Sequence, residues 1–180
     1  MNQEKEFKYF EDTDFQAVDL PYGNGDFSMT VLLPQQGKDI NSLIAGLNQE
    51  NWDLWTKQLF TNEVDLYMPK FTLTYEKSLK DILISLGMGT AFDPLQANFT
   101  KMYVEDGVNR AYISEVKHKT FVEVNEEGTE AAAVTSVEVG VTSAMPSPLK
   151  LMKVNRPFLF VIRENSSGTI LFIGKIMDPS

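Results

Sequence analysis

The sequence predicts an α+β fold, β-rich, in which antiparallel and mixed sheets carry most of the chain and a few short helices the rest. Three observations predict it. Apolar residues alternate over several short stretches with the period of two that a half-buried strand requires. Gly, Asn, Asp and Ser cluster between those stretches as turn chemistry. Helical spacing is confined to three short segments, 40–47, 51–60 and 78–86.

Residues 1–14 are charged and aromatic, with Phe7, Tyr9 and Phe10, and read as an edge strand or an ill-ordered terminus. Phe15 to Tyr22 and Phe27 to Pro34 are apolar strands joined by Gly23-Asn24-Gly25-Asp26. Gly and Asn tolerate positive φ, so this connection is a hairpin turn. Asp39 caps a short helix over 40–47, and Asn51 or Asp53 caps another around 51–60. The spacing of Trp52, Trp55 and Leu59 sets the indoles on one helical face, which is core packing rather than a ligand box. Glu63 to Glu76 alternates through Val64, Leu66, Phe71, Leu73 and Tyr75, and Pro69 interrupts it, predicting a strand that bends and changes partners. Ser78 to Leu86 is a helix with Leu79, Ile82, Leu83 and Leu86 on one side. Gly87-Met88-Gly89 follows a helix rather than a strand and is a C-cap turn, not a phosphate loop. Residues 93–110 are loop, 111–124 a long strand, and two apolar strands, 158–164 and 169–176, close the chain across Glu164-Asn165-Ser166-Ser167-Gly168.

Composition narrows the function classes. The length of 180 residues suits one domain, or part of one, and the net charge of −9 argues against a nucleic-acid surface. No apolar run reaches the roughly eighteen residues that a membrane span needs. Glu4, Glu6, Glu11 and Asp12 exclude a secretory signal in the first stretch of this chain. With no cysteine and His118 as the sole histidine, a Ser-His-acid or Cys-His centre lacks parts, and no catalytic residue is assigned. Glu126 and Glu127 are adjacent and point to opposite faces of a strand, the wrong geometry for a paired-carboxylate site. No Asp/Glu/His cluster has metal-ligand spacing, and no cofactor is implied. His118 lies mid-strand and reads as a hydrogen-bonded interior histidine. Asn98-Phe99-Thr100 and Asn165-Ser166-Ser167 are glycosylation sequons of a kind that arises by chance.

The stretch from Val124 to Pro148 carries almost no large side chain, no aromatic and no positive charge, yet lies between β-patterned segments. Alternate residues from Thr129 run Thr129, Ala131, Ala133, Thr135, Val137, Val139 and Val141, small or apolar throughout. The other register holds Glu130, Ala132, Val134, Ser136, Glu138 and Gly140. Such a segment can lie half-buried in a sheet or live exposed as a loop, which makes it a conformational switch candidate.

Glu126-Glu127-Gly128-Thr129-Glu130-Ala131-Ala132-Ala133 resembles the reactive-loop hinge of serpins, the serine protease inhibitor superfamily. Asn155-Arg156-Pro157-Phe158-Leu159-Phe160 resembles the serpin signature, and Gly168-Thr169-Ile170-Leu171-Phe172-Ile173-Gly174-Lys175 the closing strand. Leu20-Pro21-Tyr22, Ser28-Met29 and Leu33-Pro34 also fit the family, in its order. The resemblance covers the whole chain but only the back half of the family's length. It implies that 1–180 is the C-terminal part of a serpin domain with a reactive-centre loop at about 128–148. Counted from the hinge, the implied reactive bond is Thr142–Ser143, with Val141 or Met145 as alternative reactive residues. Small and β-branched residues there favour an elastase-like serine protease as target; a cysteine protease is the second choice. The implied mechanism is suicide trapping: loop cleavage, then strand insertion beside 111–127 with a turn at Gly128. By the same resemblance His118 is the shutter-like histidine, the setting is extracellular or extracytoplasmic, and the alternative roles are a non-inhibitory binding scaffold or a truncated fragment inactive without its N-terminal half. A half-length chain leaves sheet edges unpaired, so an N-terminal serpin half or self-association through those edges is expected.

Overall fold

A computed structural model of the chain describes residues 1–102, 111–125 and 148–179. They form two compact units, Met1–Phe71 with Val124–Ser180 and, separately, Thr72–Glu123.

The first unit is built on a seven-stranded sheet. Its strands are β1 (Asn2–Glu11), β2 (Phe15–Tyr22), β3 (Phe27–Pro34), β4 (Phe60–Tyr67), β7 (Lys150–Lys153), β8 (Phe158–Glu164) and β9 (Ile170–Ile176), in the spatial order β7-β4-β1-β2-β3-β8-β9. All neighbours are antiparallel except β4 and β7, which are parallel. Residues 1–14 thus hold no edge strand. β1 is interior, paired with β4 along Asn2–Tyr9 and with β2 along Lys8–Glu11. Its charges misled the reading because Phe7 and Tyr9 are buried on one face while Glu4, Glu6 and Lys8 lie exposed on the other, the pattern of an antiparallel sheet with one wet side.

The hairpin of β2 and β3 turns at Gly23–Asp26, with Gly23 and Gly25 at φ of 49° and 90°, as the sequence requires. Pro21 sits inside β2 without breaking it. The β1 ladder ends at Lys8↔Asp19, so the missing Pro21 N–H costs no bond on that side. β2, β3 and β8 are buried on both faces, which is why they read as near-continuous apolar runs. On one face α1 (Ile40–Ala45) and α2 (Gln49–Lys57) contribute to a cluster of Phe15, Ala17, Leu32, Trp52, Leu59, Leu159 and Val161, with Trp55 packed against it. The indoles are core, as their spacing predicts. Asp39 caps α1, but α2 begins earlier than expected: Asn48 is its cap, accepting from Asn51 N at 2.9 Å.

At the end of this face Asp19 is buried and accepts from Thr30 Oγ1 at 2.6 Å and from Arg163 Nη2 at 3.2 Å. The Arg163 guanidinium stands 5.9 Å from the Trp52 ring. On the opposite face Phe71 meets Phe158 and Phe160 at centroid distances of 5.7 and 5.8 Å. β8 and β9 are joined by a turn closed by Glu164, which accepts from Ser166 N, Ser167 N and Ser167 Oγ, and these bonds pull its carboxyl to about 2. Asn165 ties that turn to the β2–β3 turn: its Nδ2 donates to Gly25 O and its Oδ1 accepts from Ser28 Oγ.

Pro69 does end one strand and begin another in a different sheet, as expected. β5 (Phe71–Ser78) pairs with β6 (Lys117–Val124) in a two-stranded sheet. The long strand expected over 111–124 is shorter. Its first half is not strand because Ile113 N donates to Ala91 O and Val116 O accepts from Leu79 N, which takes those groups out of a ladder. The helix expected at 78–86 spans α3 (Lys80–Leu83) and a wider turn, Ile84–Met88; a further helix, α4 (Gly89–Phe92), follows. Gly87 has φ of 98°, the glycine-dependent break between them. Leu79 and Leu83 are partly buried, whereas Ile82 and Leu86 are exposed.

Gly174 gives the sheet a sharp test. It pairs with Phe160 across β8 and β9, and a Cβ built there would lie 2.4 Å from the Phe160 ring. That ring is 1% exposed and has no room to swing away. Gly174→Ala is expected to destabilise by about 1–3 kcal/mol through overpacking. A urea midpoint unchanged from the parent would show that the ring relocates freely.

Candidate functional site

The segment that carries the predicted chemistry joins β6 to β7. Glu126, Glu127, Gly128, Thr129, Glu130, Ala131, Ala132 and Ala133 of the hinge, the Thr142–Ser143 bond, and Val141 and Met145 lie outside the described residues. What the structure does describe is the strand on each side.

Before the segment comes β6. Its even-numbered residues share one face, with Val122 and Val124 buried, while Lys119, Phe121 and Glu123 are exposed on the other. Among the described residues β6 has one strand partner, β5. His118 is exposed rather than interior, which corrects the buried reading. Its Nε2 lies 2.8 Å from Thr120 Oγ1, and its ring meets Tyr75 edge-on at 6.3 Å. Alternation along a strand fixes which face a residue takes, not whether that face is covered. On β6 and β5, Lys119 and Glu76 make a further cross-strand pair at 3.5 Å.

After the segment comes β7, four residues long and at the sheet edge. Parallel pairing with β4 sets Lys150 opposite Val64 and Lys153 opposite Tyr67. So short a strand gains little from its ladder alone, and side chains from β1 and β2 add to it. Lys150 Nζ donates to Glu11 Oε1 at 2.5 Å. Gln16 Nε2 donates to Leu151 O at 3.0 Å and to Tyr9 OH at 2.8 Å, and Tyr9 OH donates to Glu11 Oε2 at 2.8 Å. Lys150 beside it holds the Glu11 carboxyl below the usual carboxylate range. Burial, then the bond to Glu11, holds the Tyr9 hydroxyl above the usual phenol range, so Tyr9 stays a neutral donor. Just downstream, Arg156 of the signature stretch donates from Nε to Pro34 O at 2.7 Å, joining the start of β8 to the end of β3.

The signature stretch and the strands that carry the upstream stretches therefore meet in one sheet: Leu20 pairs with Met29, Pro21 with Ser28, and on β3 Val31 and Leu32 pair with Phe160 and Leu159. Sequence reasoning did not find Glu11, Gln16 or Lys150. Glu11 is one of many charges in β1, and nothing local marks it as the partner of a lysine so far along the chain. Among the described residues no group of acids and histidine could hold a metal ion, and no helix is long and apolar enough to cross a membrane.

Comparison with known proteins places these elements in one family. Residues 1–179 match the family model for Serpin (serine protease inhibitor). The chain is 39% identical to serpin B10 of Rattus norvegicus, covering 99% of this chain and 44% of that protein. It is 38% identical to the leukocyte elastase inhibitor of Homo sapiens, covering 99% of this chain and 48% of that protein. Its fold matches the crystal structure of tengpin, a thermophilic serpin in the native state, with a TM-score of 0.76 and 36% identity over 99% of this chain and 45% of tengpin. The chain belongs to the family described as Serpin (serine protease inhibitor), and it spans about half the length of the relatives it matches.

The β7 latch yields a pH-dependent prediction. Glu11 has a folded-state pKa below its unfolded value, so its contribution is present above the unfolded value and lost as pH falls through the folded one. Both partners are about one-third exposed, and Glu11→Gln is expected to cost about 0.2–1 kcal/mol at neutral pH. The difference in urea midpoint between the two proteins should vanish in acid; a difference that persists there would assign the effect to packing.

Proposed function

We propose that this chain is the C-terminal half of a serpin that traps a serine protease, and that its reactive bond is Thr142–Ser143. The observation that carries the reading is the placement of residues 126–147: they follow β6, which has one strand partner among the described residues, and precede β7. Strand addition by a cleaved loop is established behaviour of serpins. What this sequence adds is a segment fit for it. Thr129, Ala131 and Ala133 enter first on the buried register and bring neither charge nor bulk.

The chemistry runs as follows. The protease serine attacks the Thr142 carbonyl, an acyl-enzyme forms, and Ser143 becomes a new N-terminus. The segment from Thr129 then adds beside β6. About fourteen residues at ~3.3 Å each carry the tethered enzyme some 45 Å. Cross-strand pairs contribute roughly 0.2–1 kcal/mol each, so the insertion yields several kcal/mol. Thr142, Val141 and Val139 suit a shallow specificity pocket, which favours an elastase-like target; the relative that is itself a leukocyte elastase inhibitor supports that choice.

Trapping needs the front half of the domain. β9 ends the sheet with Ile170, Leu171, Phe172 and Ile173 all more than two-fifths exposed. An edge strand apolar on both faces invites a further strand, from an N-terminal serpin half or from a second copy. An extracellular setting rests on the family resemblance; a cysteine-free chain suits an oxidising or a reducing compartment equally.

The test is a denaturing gel with intact mass, after mixing elastase-like and trypsin-like proteases with the chain alone and with its front half. A boiling-stable adduct and a released peptide beginning at Ser143 are expected. Clean cleavage with no adduct, front half present, would indicate a substrate or scaffold. Thr129→Arg is expected to convert the inhibitor into a substrate, because a charge at the first buried position costs about as much as the first pairs supply. Unchanged adduct yield in that variant would refute insertion from Thr129.

A further inference from the structure

The β2–β3 turn holds the only Asn-Gly pair in the chain, Asn24-Gly25. An asparagine before glycine is open to attack by the next backbone nitrogen, because glycine has no Cβ to shield it. Asn24 is exposed, yet its turn opposes that reaction. Gly25 N donates to Tyr22 O at 2.8 Å, so the attacking group is engaged. Asn24 Nδ2 donates to Asp26 Oδ2 at 2.7 Å and its Oδ1 accepts from Asp26 N at 3.2 Å, which ties the side chain to Asp26. The β8–β9 turn holds this arrangement from outside. Asn165 N donates to Asp26 O and its Nδ2 to Gly25 O, both at 2.8 Å, while its Oδ1 accepts from buried Ser28 Oγ at 2.9 Å. Two other asparagines, Asn41 and Asn165, precede a serine. There Ser42 N is committed to Asp39 O and Ser166 N to Glu164 Oε1.

We propose that Asn24 is a site of spontaneous deamidation gated by Asn165: its amide reacts only from an opened turn, so its loss records opening at this end of the sheet. Such local opening is cheaper than global unfolding and sets the rate. Freed from Tyr22 O, Gly25 N gives its proton to solvent base and bonds to Asn24 Cγ. The Cγ–Nδ2 bond breaks, ammonia leaves, and nothing is oxidised or reduced. Water then opens the cyclic imide at either carbonyl, leaving aspartate or isoaspartate at position 24. Isoaspartate routes the chain through its side chain and adds a methylene to a backbone whose Gly25 O and Asp26 O are both held. Either product sets a carboxylate against Asp26 where an amide now donates. Both changes weaken the turn that admitted the reaction, so opening and modification reinforce each other.

The experiment follows the complete protein in mildly alkaline buffer by peptide mapping and isoaspartyl methyltransferase labelling, beside a linear peptide of the Leu20–Met29 sequence. The peptide and the urea-unfolded protein are expected to lose ammonia from Asn24 at similar rates, and the folded protein about tenfold or more slower. Asn165→Ala removes both side-chain ties and is expected to speed the folded protein about threefold to tenfold. Ser28→Ala removes one tie and is expected to lie between; as the smaller change, it decides alone if Asn165→Ala does not fold. A folded-protein rate equal to that of the peptide would overturn the gate, and so would parent rates in the tie variants. Ammonia loss from Asn41 or Asn165 ahead of Asn24 would overturn the assignment of the site.

Discussion

The pairing of β3 with β8 is the constraint on which the rest depends. It joins Phe27–Leu32 to Leu159–Glu164, stretches on opposite sides of the segment that carries the predicted chemistry. Met29, Val31, Leu32, Phe160 and Val161 are at most 1% exposed, so along the middle of the pairing the two strands meet water on neither face. Closing a loop this long costs entropy that grows only logarithmically with length, whereas each large buried side chain contributes about 1.5–3 kcal/mol. Burial wins. Once β8 is fixed, the bond from Arg156 to Pro34 O holds the link between β7 and β8, and the Lys150–Glu11 contact adds to the position of β7.

The two strands flanking residues 126–147 are held in different ways. β7 is clamped by side chains reaching from β1 and β2. β6 relies on β5, with the Lys119–Glu76 and His118–Tyr75 contacts on their exposed surfaces. One end is latched by specific polar contacts, and the other has a single strand neighbour among the described residues.

How much of this was legible follows from the physics of each element. The β2–β3 hairpin was readable because its turn residues and flanking runs agree, and both signals are local. Trp52 and Trp55 were readable for the same reason. β1 was not, since pairing is a property of the backbone and its side chains report only that one face is wet. The first half of 111–124 was misread because apolar residues that look strand-like give their hydrogen bonds to a helix end. Among the proposed site residues, the hinge rests on resemblance alone and lies outside the described residues, whereas the signature stretch, also read by resemblance, leads into β8. Glu11 and Gln16 were invisible, because what selects them is a strand that arrives more than a hundred residues later.

The sheet order carries a consequence for the chain once it is cut. A break anywhere in 126–147 leaves β7, β8 and β9 on a separate polypeptide. β8 lies between β3 and β9 with Phe158, Leu159, Phe160 and Val161 in the core. That short polypeptide is then a subunit whose interface is the protein's own interior. Its dissociation is unfolding under another name, and the nicked molecule behaves as an obligate heterodimer assembled by a single act of hydrolysis.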